Sequence, residues 1–160
     1  MTETANPAKV QVVPFLVMGI EARTTNQREM SGQGAIGALW GRLTKDKLLE
    51  RIPNREDNRI VAVYSDYESD RDGEYSYLLG AKVRTAEEVP DGMISRQVGP
   101  GEYALFSAKG GPAVEMVVGI WKKIWALETD RKLERAYQTD FEIYSPDALV
   151  NIYIGLLARG

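Results

Sequence analysis

The stretch DFEIYSPDALVNIYI, residues 140–154, decides the fold that the sequence predicts. Two runs rich in aromatic and β-branched residues flank the polar turn SPDA, a pattern typical of a β-hairpin, and we expect strands over 141–145 and 149–157. Side chains alternate between the two faces of a strand, so Glu142 and Tyr144 share one face. The hairpin therefore carries an acidic residue among aromatic neighbours.

Upstream of this hairpin, the order β-α-β-β occurs twice along the chain. The SGQG segment places Ser31 as the N-cap of the first helix, and Pro53 forbids its continuation. Pro14 suggests an edge or a bulge in the first strand. The elements expected from hydrophobic periodicity are strands at 10–24, 60–69, 75–83 and 93–110, the last broken at Gly99-Pro100-Gly101, and helices at 32–50 and 112–127.

Matched aromatic residues indicate an internal duplication. Trp40 and Trp121 lie at equivalent places in the two copies. Tyr64-Ser65 corresponds to Tyr144-Ser145, and the two matching pairs are separated by nearly the same number of residues along the chain. The first repeat spans 9–84 and the second 93–158, with no low-complexity linker between them. We therefore expect one α+β domain over 1–160, built from two βαββ units related by a pseudo-twofold axis, with an antiparallel sheet and two helices.

Composition excludes several classes of function. The chain has no cysteine and no histidine, which removes disulfides, thiolate metal sites and the usual general base. Its formal charge is −3 with scattered basic residues, so we expect no nucleic-acid partner. Neither a secretory signal nor a membrane span is apparent, and this favours a cytoplasmic protein without membrane contact. No cofactor and no metal are expected.

The eight tyrosines concentrate on the predicted strands. Alternation within each strand predicts an aliphatic face and a second face of tyrosines with Glu142 and Asn151. A cleft of aromatic walls with one carboxylate suits a flat, lipophilic, cationic molecule, through cation–π contact and charge neutralisation. The candidate ligand-binding residues are Glu142, Tyr144, Tyr64, Tyr77, Trp40, Tyr103, Trp121 and Tyr153, with no catalytic residue among them.

Other roles are compatible with the same residues. A strand glutamate is usually solvated, and an indole on a helical stripe is more often core than ligand wall. Glu142 could instead be paired with Arg23 or Lys82 and belong to the scaffold. The acidic turn over 66–74 could bind a metal, although it lacks the spacing of a calcium loop.

Four motifs resemble the DNA gyrase inhibitor-like family, whose domain also serves as the effector-binding domain of AraC-type and MerR-type transcription activators. The motifs are VGPGEYALF from Val98, GIWKKIW from Gly119, DFEIY from Asp140 and VNIYI from Val150. The resemblance implies a duplicated βαββ fold with a pocket at the junction of the halves. It also implies lipophilic cationic drugs as ligands, with Glu142 as counter-charge. Asn151 stands where a second acidic residue is common.

The resemblance extends to stand-alone members, which lack a DNA-binding segment and include a cation-binding protein encoded on a mobile gene cassette. The resemblance also implies two alternative functions. Some members hydrolyse strained electrophiles, and Glu142 could act there as a base if burial raised its pKa. Gyrase-inhibitor-like members act on a protein partner, a role that the acidic turn could serve.

Overall fold

The computed structural model describes residues 7–157, so the two ends of the predicted domain, including the expected end of the second repeat at 158, lie outside the described residues. Within it are eight strands and four helices. In chain order these are β1 (Ala8–Val12), β2 (Phe15–Thr25), α1 (Asn26–Met30), α2 (Ile36–Lys45), α3 (Leu48–Arg51), β3 (Ile60–Ser65), β4 (Glu74–Val83), β5 (Ile94–Val98), β6 (Gly101–Lys109), α4 (Ala113–Thr129), β7 (Arg135–Tyr144) and β8 (Leu149–Leu156).

All eight strands form one antiparallel sheet in the order β1-β6-β8-β7-β3-β4-β2-β5. The order is symmetric about the boundary between β7 and β3, since β2-α-β3-β4 and β6-α-β7-β8 have the same connectivity. The expected α+β fold with duplicated βαββ units is confirmed. Both halves share one sheet because their inner strands, β3 and β7, pair directly with each other.

The first strand of the prediction is wrong in one respect. The run expected as a single strand over 10–24 is two strands at opposite places in the sheet, because β1 pairs with β6 whereas β2 lies between β4 and β5. Pro14, which has no backbone N–H, stands at the break. Gly99, at φ 77°, starts the matching break between β5 and β6. The first strand of each half, β1 or β5, therefore pairs at the outer edge of the other half.

The first helix is also corrected. Two short helices, α2 and α3, replace the single helix expected over 32–50, and α1 precedes them, so residues 7–157 contain four helices rather than two. Ser31 is the C-cap of α1, and the N-cap is Thr25, whose hydroxyl accepts from the Arg28 backbone N–H at 3.1 Å. Gly32 at φ 83° ends that first turn, and Lys47 at φ 51° separates α2 from α3. Such left-handed residues interrupt a helix whatever its hydrophobic periodicity.

The helices pack on one face of the sheet, called here the helix face. Its core includes Leu39 and Leu43 from α2 and Ile120 and Ile124 from α4. The opposite face, called the back face, has a separate core that residues of β1 and the start of β2 help to cover. That core consists of Val17, Val61, Val63, Leu78, Val98, Tyr103, Phe141 and Ile143. Within residues 7–157, no helix is long and apolar enough to cross a membrane.

Candidate ligand-binding site

Glu142 lies at the centre of the helix face, on β7 beside β3. Its direct cross-strand partner is Ala62, the residue at the matching place in the first repeat. The pseudo-twofold axis therefore passes between these two residues. Two glutamates here would face each other across the axis and repel, whereas alanine leaves space and a single carboxylate. Only 1% of Glu142 is exposed.

Three neutral donors hold the Glu142 carboxylate. Its Oε2 accepts from the Trp121 indole N–H at 2.7 Å and from the Tyr64 hydroxyl at 2.9 Å. Its Oε1 accepts from the Tyr144 hydroxyl at 2.6 Å. This burial rules out a solvated glutamate on the surface of the sheet.

No basic side chain within residues 7–157 forms an ion pair with Glu142. The two candidates from the sequence are engaged elsewhere. Arg23 pairs with Glu74 at 3.0 Å, and the Lys82 ammonium lies over the Phe15 ring. Burial raises the pKa of the Glu142 carboxyl, while hydrogen bonds from Tyr144, Trp121 and Tyr64 oppose that rise. Both carboxylate oxygens accept hydrogen bonds, but no opposite charge within residues 7–157 neutralises them.

A cavity of about 400 Å³ opens above this carboxylate, between α2 and α4. We call it the Glu142 lobe. Its walls are aromatic on the sheet side and aliphatic along the N-terminal part of α4. The lining residues are Ile36, Gly37, Trp40, Tyr64, Tyr77, Ala113, Val114, Val117, Val118, Glu142 and Tyr144.

The aromatic walls cross between the two halves. Trp40 of the first half packs edge-on against Tyr144 of the second, with ring centroids 4.9 Å apart. Tyr64 of the first half contacts Trp121 of the second at 5.2 Å. Trp40 also donates its indole N–H to the Tyr77 hydroxyl at 2.9 Å. The site is consequently built at the junction of the repeats.

Two predicted site residues, Tyr103 and Tyr153, do not lie here. Both are on the back face against Phe141, Tyr153 stacked at 4.4 Å and Tyr103 edge-on at 5.2 Å. The register pairs Glu142 with Ile152, so Ile152 shares the helix face and its neighbours on β8, Asn151 and Tyr153, point the other way. The expectation that Asn151 and Tyr153 share a face with Glu142 is wrong.

A second cavity of about 260 Å³ adjoins the first, on the other side of Tyr64. We call it the Arg135 lobe. Sequence reasoning missed it, because Arg135 lies before the strand expected at 141–145 and only the longer β7 brings it inward. The two lobes share Ile36, Tyr64, Val117 and Val118. The Arg135 lobe is completed by Asn26, Glu29, Met30, Tyr67, Tyr75, Trp121, Lys122, Trp125 and Arg135.

Arg135 belongs to a buried ionic cluster. Its Nη2 contacts Asp140 Oδ2 at 2.8 Å, with the two side chains 2% and 0% exposed. The Tyr67 hydroxyl donates to the same Asp140 oxygen at 2.5 Å. A bulge at Tyr137, with φ 54°, shifts the β7 register and lets Arg135 reach Asp140 along its own strand. The guanidinium also lies 5.4 Å from the Trp121 ring.

The other charged residues give less support for a binding site than the two lobes do. Among the residues that the structure describes, no group of three or more acidic side chains is arranged to hold a metal ion. The acidic turn between β3 and β4 is tied to the chain, since Glu74 pairs with Arg23 and Arg28. Arg71 of that turn donates to the Trp125 carbonyl at 3.4 Å.

The duplicated fold is that of an effector-binding protein family. The model of the Cass2 family, integron-associated effector binding protein, matches residues 10–156, and the chain belongs to this family. The resemblance to effector-binding domains seen in the sequence is thereby confirmed.

Solved structures and sequence relatives agree with this assignment. The integron cassette protein VCH_CASS2 from the mobile metagenome of Vibrio cholerae superposes with a TM-score of 0.80 at 27% identity, covering 96% of this chain and 97% of its own. SAV2435, solved bound to tetraphenylphosphonium, has the same fold, with a TM-score of 0.72 at 15% identity and coverage of 95% and 94%. YobU of Bacillus subtilis, named as a candidate transcriptional regulator, is 32% identical over 86% of this chain and 89% of its own length.

Proposed function

We propose that this protein binds lipophilic aromatic cations in the Glu142 lobe, with Glu142 as the counter-charge. The observation that carries the proposal is a buried carboxylate that faces a cavity and has no ion-pair partner within residues 7–157. Burying an ionised group without an opposite charge is costly. A cation entering the lobe offsets this cost, so the empty site is electrostatically incomplete.

The shape and lining of the lobe favour a particular kind of cation. Its volume of about 400 Å³ suits a drug-sized molecule. Trp40, Tyr77 and Tyr144 present rings whose faces attract cations, each contact worth about 0.5–2 kcal/mol as the site loses water. Apolar Val117 and Val118 oppose them. A flat or bulky hydrophobic cation fits this lining better than a small hydrated ion.

The symmetry of the fold determines how many negative charges the centre of the site holds. Because Ala62 faces Glu142 across the pseudo-twofold axis, the centre of the site holds one carboxylate. One negative charge balances a monocation. SAV2435, which has this fold, binds tetraphenylphosphonium, a monocation of this type.

A titration with a matched pair of ions tests the proposal. Tetraphenylphosphonium and tetraphenylborate have the same shape and opposite charge, and tryptophan fluorescence reports binding because Trp40 and Trp121 border the site. We expect micromolar affinity for the phosphonium and much weaker binding of the borate. Glu142→Gln should weaken phosphonium binding tenfold or more, since the ligand loses its counter-charge while its own desolvation remains.

The matched control is Glu50→Gln, which removes the same charge from the exposed side of α3. It should leave phosphonium affinity unchanged within about twofold. Long incubation with a panel of cations and strained electrophiles separates binding from turnover: we expect all of them to be recovered unaltered, whereas turnover that depends on Glu142 would indicate a hydrolase. A Glu142→Gln variant that binds the phosphonium as tightly as the parent would refute the assigned role.

A further inference from the structure

The Arg135 lobe contrasts chemically with the Glu142 lobe beside it. The two cavities adjoin, because Ile36, Tyr64, Val117 and Val118 line both of them. Glu142 supplies an unneutralised acceptor to the first lobe. The polar groups of the second lobe decide what the other end of such a molecule must carry.

Two buried donors that belong to the lining of the Arg135 lobe are unpaired. The indole Nε1 of Trp125 and the guanidinium Nε of Arg135 are inaccessible to solvent and have no hydrogen-bond partner within residues 7–157. Lys122 adds an ammonium group from the exposed side of α4. A buried donor without an acceptor costs about 1–3 kcal/mol. An acceptor brought in by a ligand would recover part of that free energy.

Several acidic and amide side chains around this lobe already accept hydrogen bonds. Glu29 Oε2 accepts from the Thr24 hydroxyl at 2.5 Å and from the Ala35 backbone N–H at 2.8 Å, so it caps the start of α2. The Asn26 amide accepts from the Tyr75 hydroxyl at 3.1 Å. Asp140 holds the terminal nitrogen Nη2 of Arg135. Next to the lining, Glu128 Oε1 also has no hydrogen-bond partner within residues 7–157, but it lies 3.6 Å from Arg135 Nη1 as an ion pair. Among the buried lining atoms, those without a partner in the described residues are therefore the two donors.

We propose that the complete site binds an elongated cation whose second end carries a hydrogen-bond acceptor, such as an ester carbonyl. The cationic end occupies the Glu142 lobe and the acceptor arm passes Tyr64 and Val118 into the Arg135 lobe. Both donor nitrogens lie beneath the lining in the empty protein. Binding of the arm therefore requires the Trp125 ring to turn toward the cavity. Met30, 77% exposed, stands in the lining as a side chain that can move aside. This inference rests on the proposed function and specifies its ligand class.

Two triphenylphosphonium probes of equal length test it. One carries a butanoate methyl ester and the other an alkyl chain in its place. We expect the parent protein to bind the ester about fivefold more tightly, the effect of one net hydrogen bond. Trp125→Phe should abolish the preference, so that the variant binds the ester and the alkyl probe with equal affinity. In spectra of ¹⁵N-labelled protein, the Trp125 indole N–H resonance should move downfield with the ester and not with the alkyl probe.

The failures of the two proposals are distinguishable. Equal affinities for ester and alkyl probes in the parent, or a preference that survives Trp125→Phe, would overturn the acceptor arm and leave cation binding intact. If neither phosphonium binds, the proposed function fails, and the uncharged ester methyl 4-phenylbutanoate then decides the second lobe alone. A downfield shift of the Trp125 indole N–H with that ester supports the lobe, and an unmoved resonance overturns it.

Discussion

Asp140 and Glu142 are two buried carboxylates, two residues apart on β7, with different partners. Asp140 contacts the Arg135 guanidinium and also accepts from the Gly155 backbone N–H at 2.8 Å. Among the described residues, the groups that donate to Glu142 are all neutral. The two are 0% and 1% exposed, so burial does not separate them. The presence or absence of an internal cation distinguishes a scaffold charge from a site charge.

The largest expected effect comes from breaking the scaffold pair. Asp140→Asn leaves the Arg135 guanidinium buried without a full counter-charge, and we expect a loss of about 3–5 kcal/mol in the free energy of unfolding. Chemical denaturation of parent and variant measures it. A loss below about 1 kcal/mol would mean that Arg135 is neutralised well enough by Glu128, 3.6 Å away, and the contrast with Glu142 would weaken.

The site carboxylate should respond in the opposite direction. Glu142→Gln keeps the size and hydrogen-bonding capacity of the side chain but removes a buried charge that has no internal partner. We expect the free energy of unfolding to stay the same or to rise by about 1–2 kcal/mol. Thermal melts of the empty protein give the comparison. A large destabilisation would instead place Glu142 with Asp140 in the scaffold.

The raised pKa of Glu142 gives the comparison a pH dependence. Ionised Glu142 is needed to bind a permanent cation, so affinity should fall about tenfold as pH drops through its pKa, with a midpoint above the ordinary value of 4.5. The stability of the empty protein depends on pH in the opposite direction. A carboxyl with a raised pKa stabilises the fold fully below its unfolded value and loses that contribution as pH rises through the folded one. Phosphonium titrations across pH check the first sign, with the affinity of Glu142→Gln expected to be independent of pH. Denaturation of the empty parent and of Glu142→Gln across pH checks the second.

The smallest expected effect is on the back face. Tyr153 packs on Phe141 with its ring, and its side chain is remote from both lobes. Tyr153→Phe should change phosphonium affinity by less than about twofold and stability by less than about 0.5 kcal/mol. A clear loss of binding in the same fluorescence titration would show that the two faces of the sheet are coupled.

Much of the site was predictable because strand alternation is a local property. Period-two patterning correctly placed Glu142 with Tyr144, and Ala62 with Tyr64, each within one strand. It failed for Tyr153, because the relation between β7 and β8 depends on their register. A shift of one residue exchanges the faces of a whole strand. Arg135 was not predicted, since a bulge around Tyr137 has no period that the sequence reveals.

The sequence by itself determined the fold class and the repeated order β-α-β-β. The repeated tryptophans and tyrosines indicated two copies, and the absence of cysteine and histidine removed whole classes of chemistry. These conclusions depend on composition and on neighbours along the chain. Long-range hydrogen bonding decided the rest, because each edge strand pairs with the other half of the molecule. Only that pairing sets Ala62 opposite Glu142, gives Asp140 a cation, and leaves Glu142 without one.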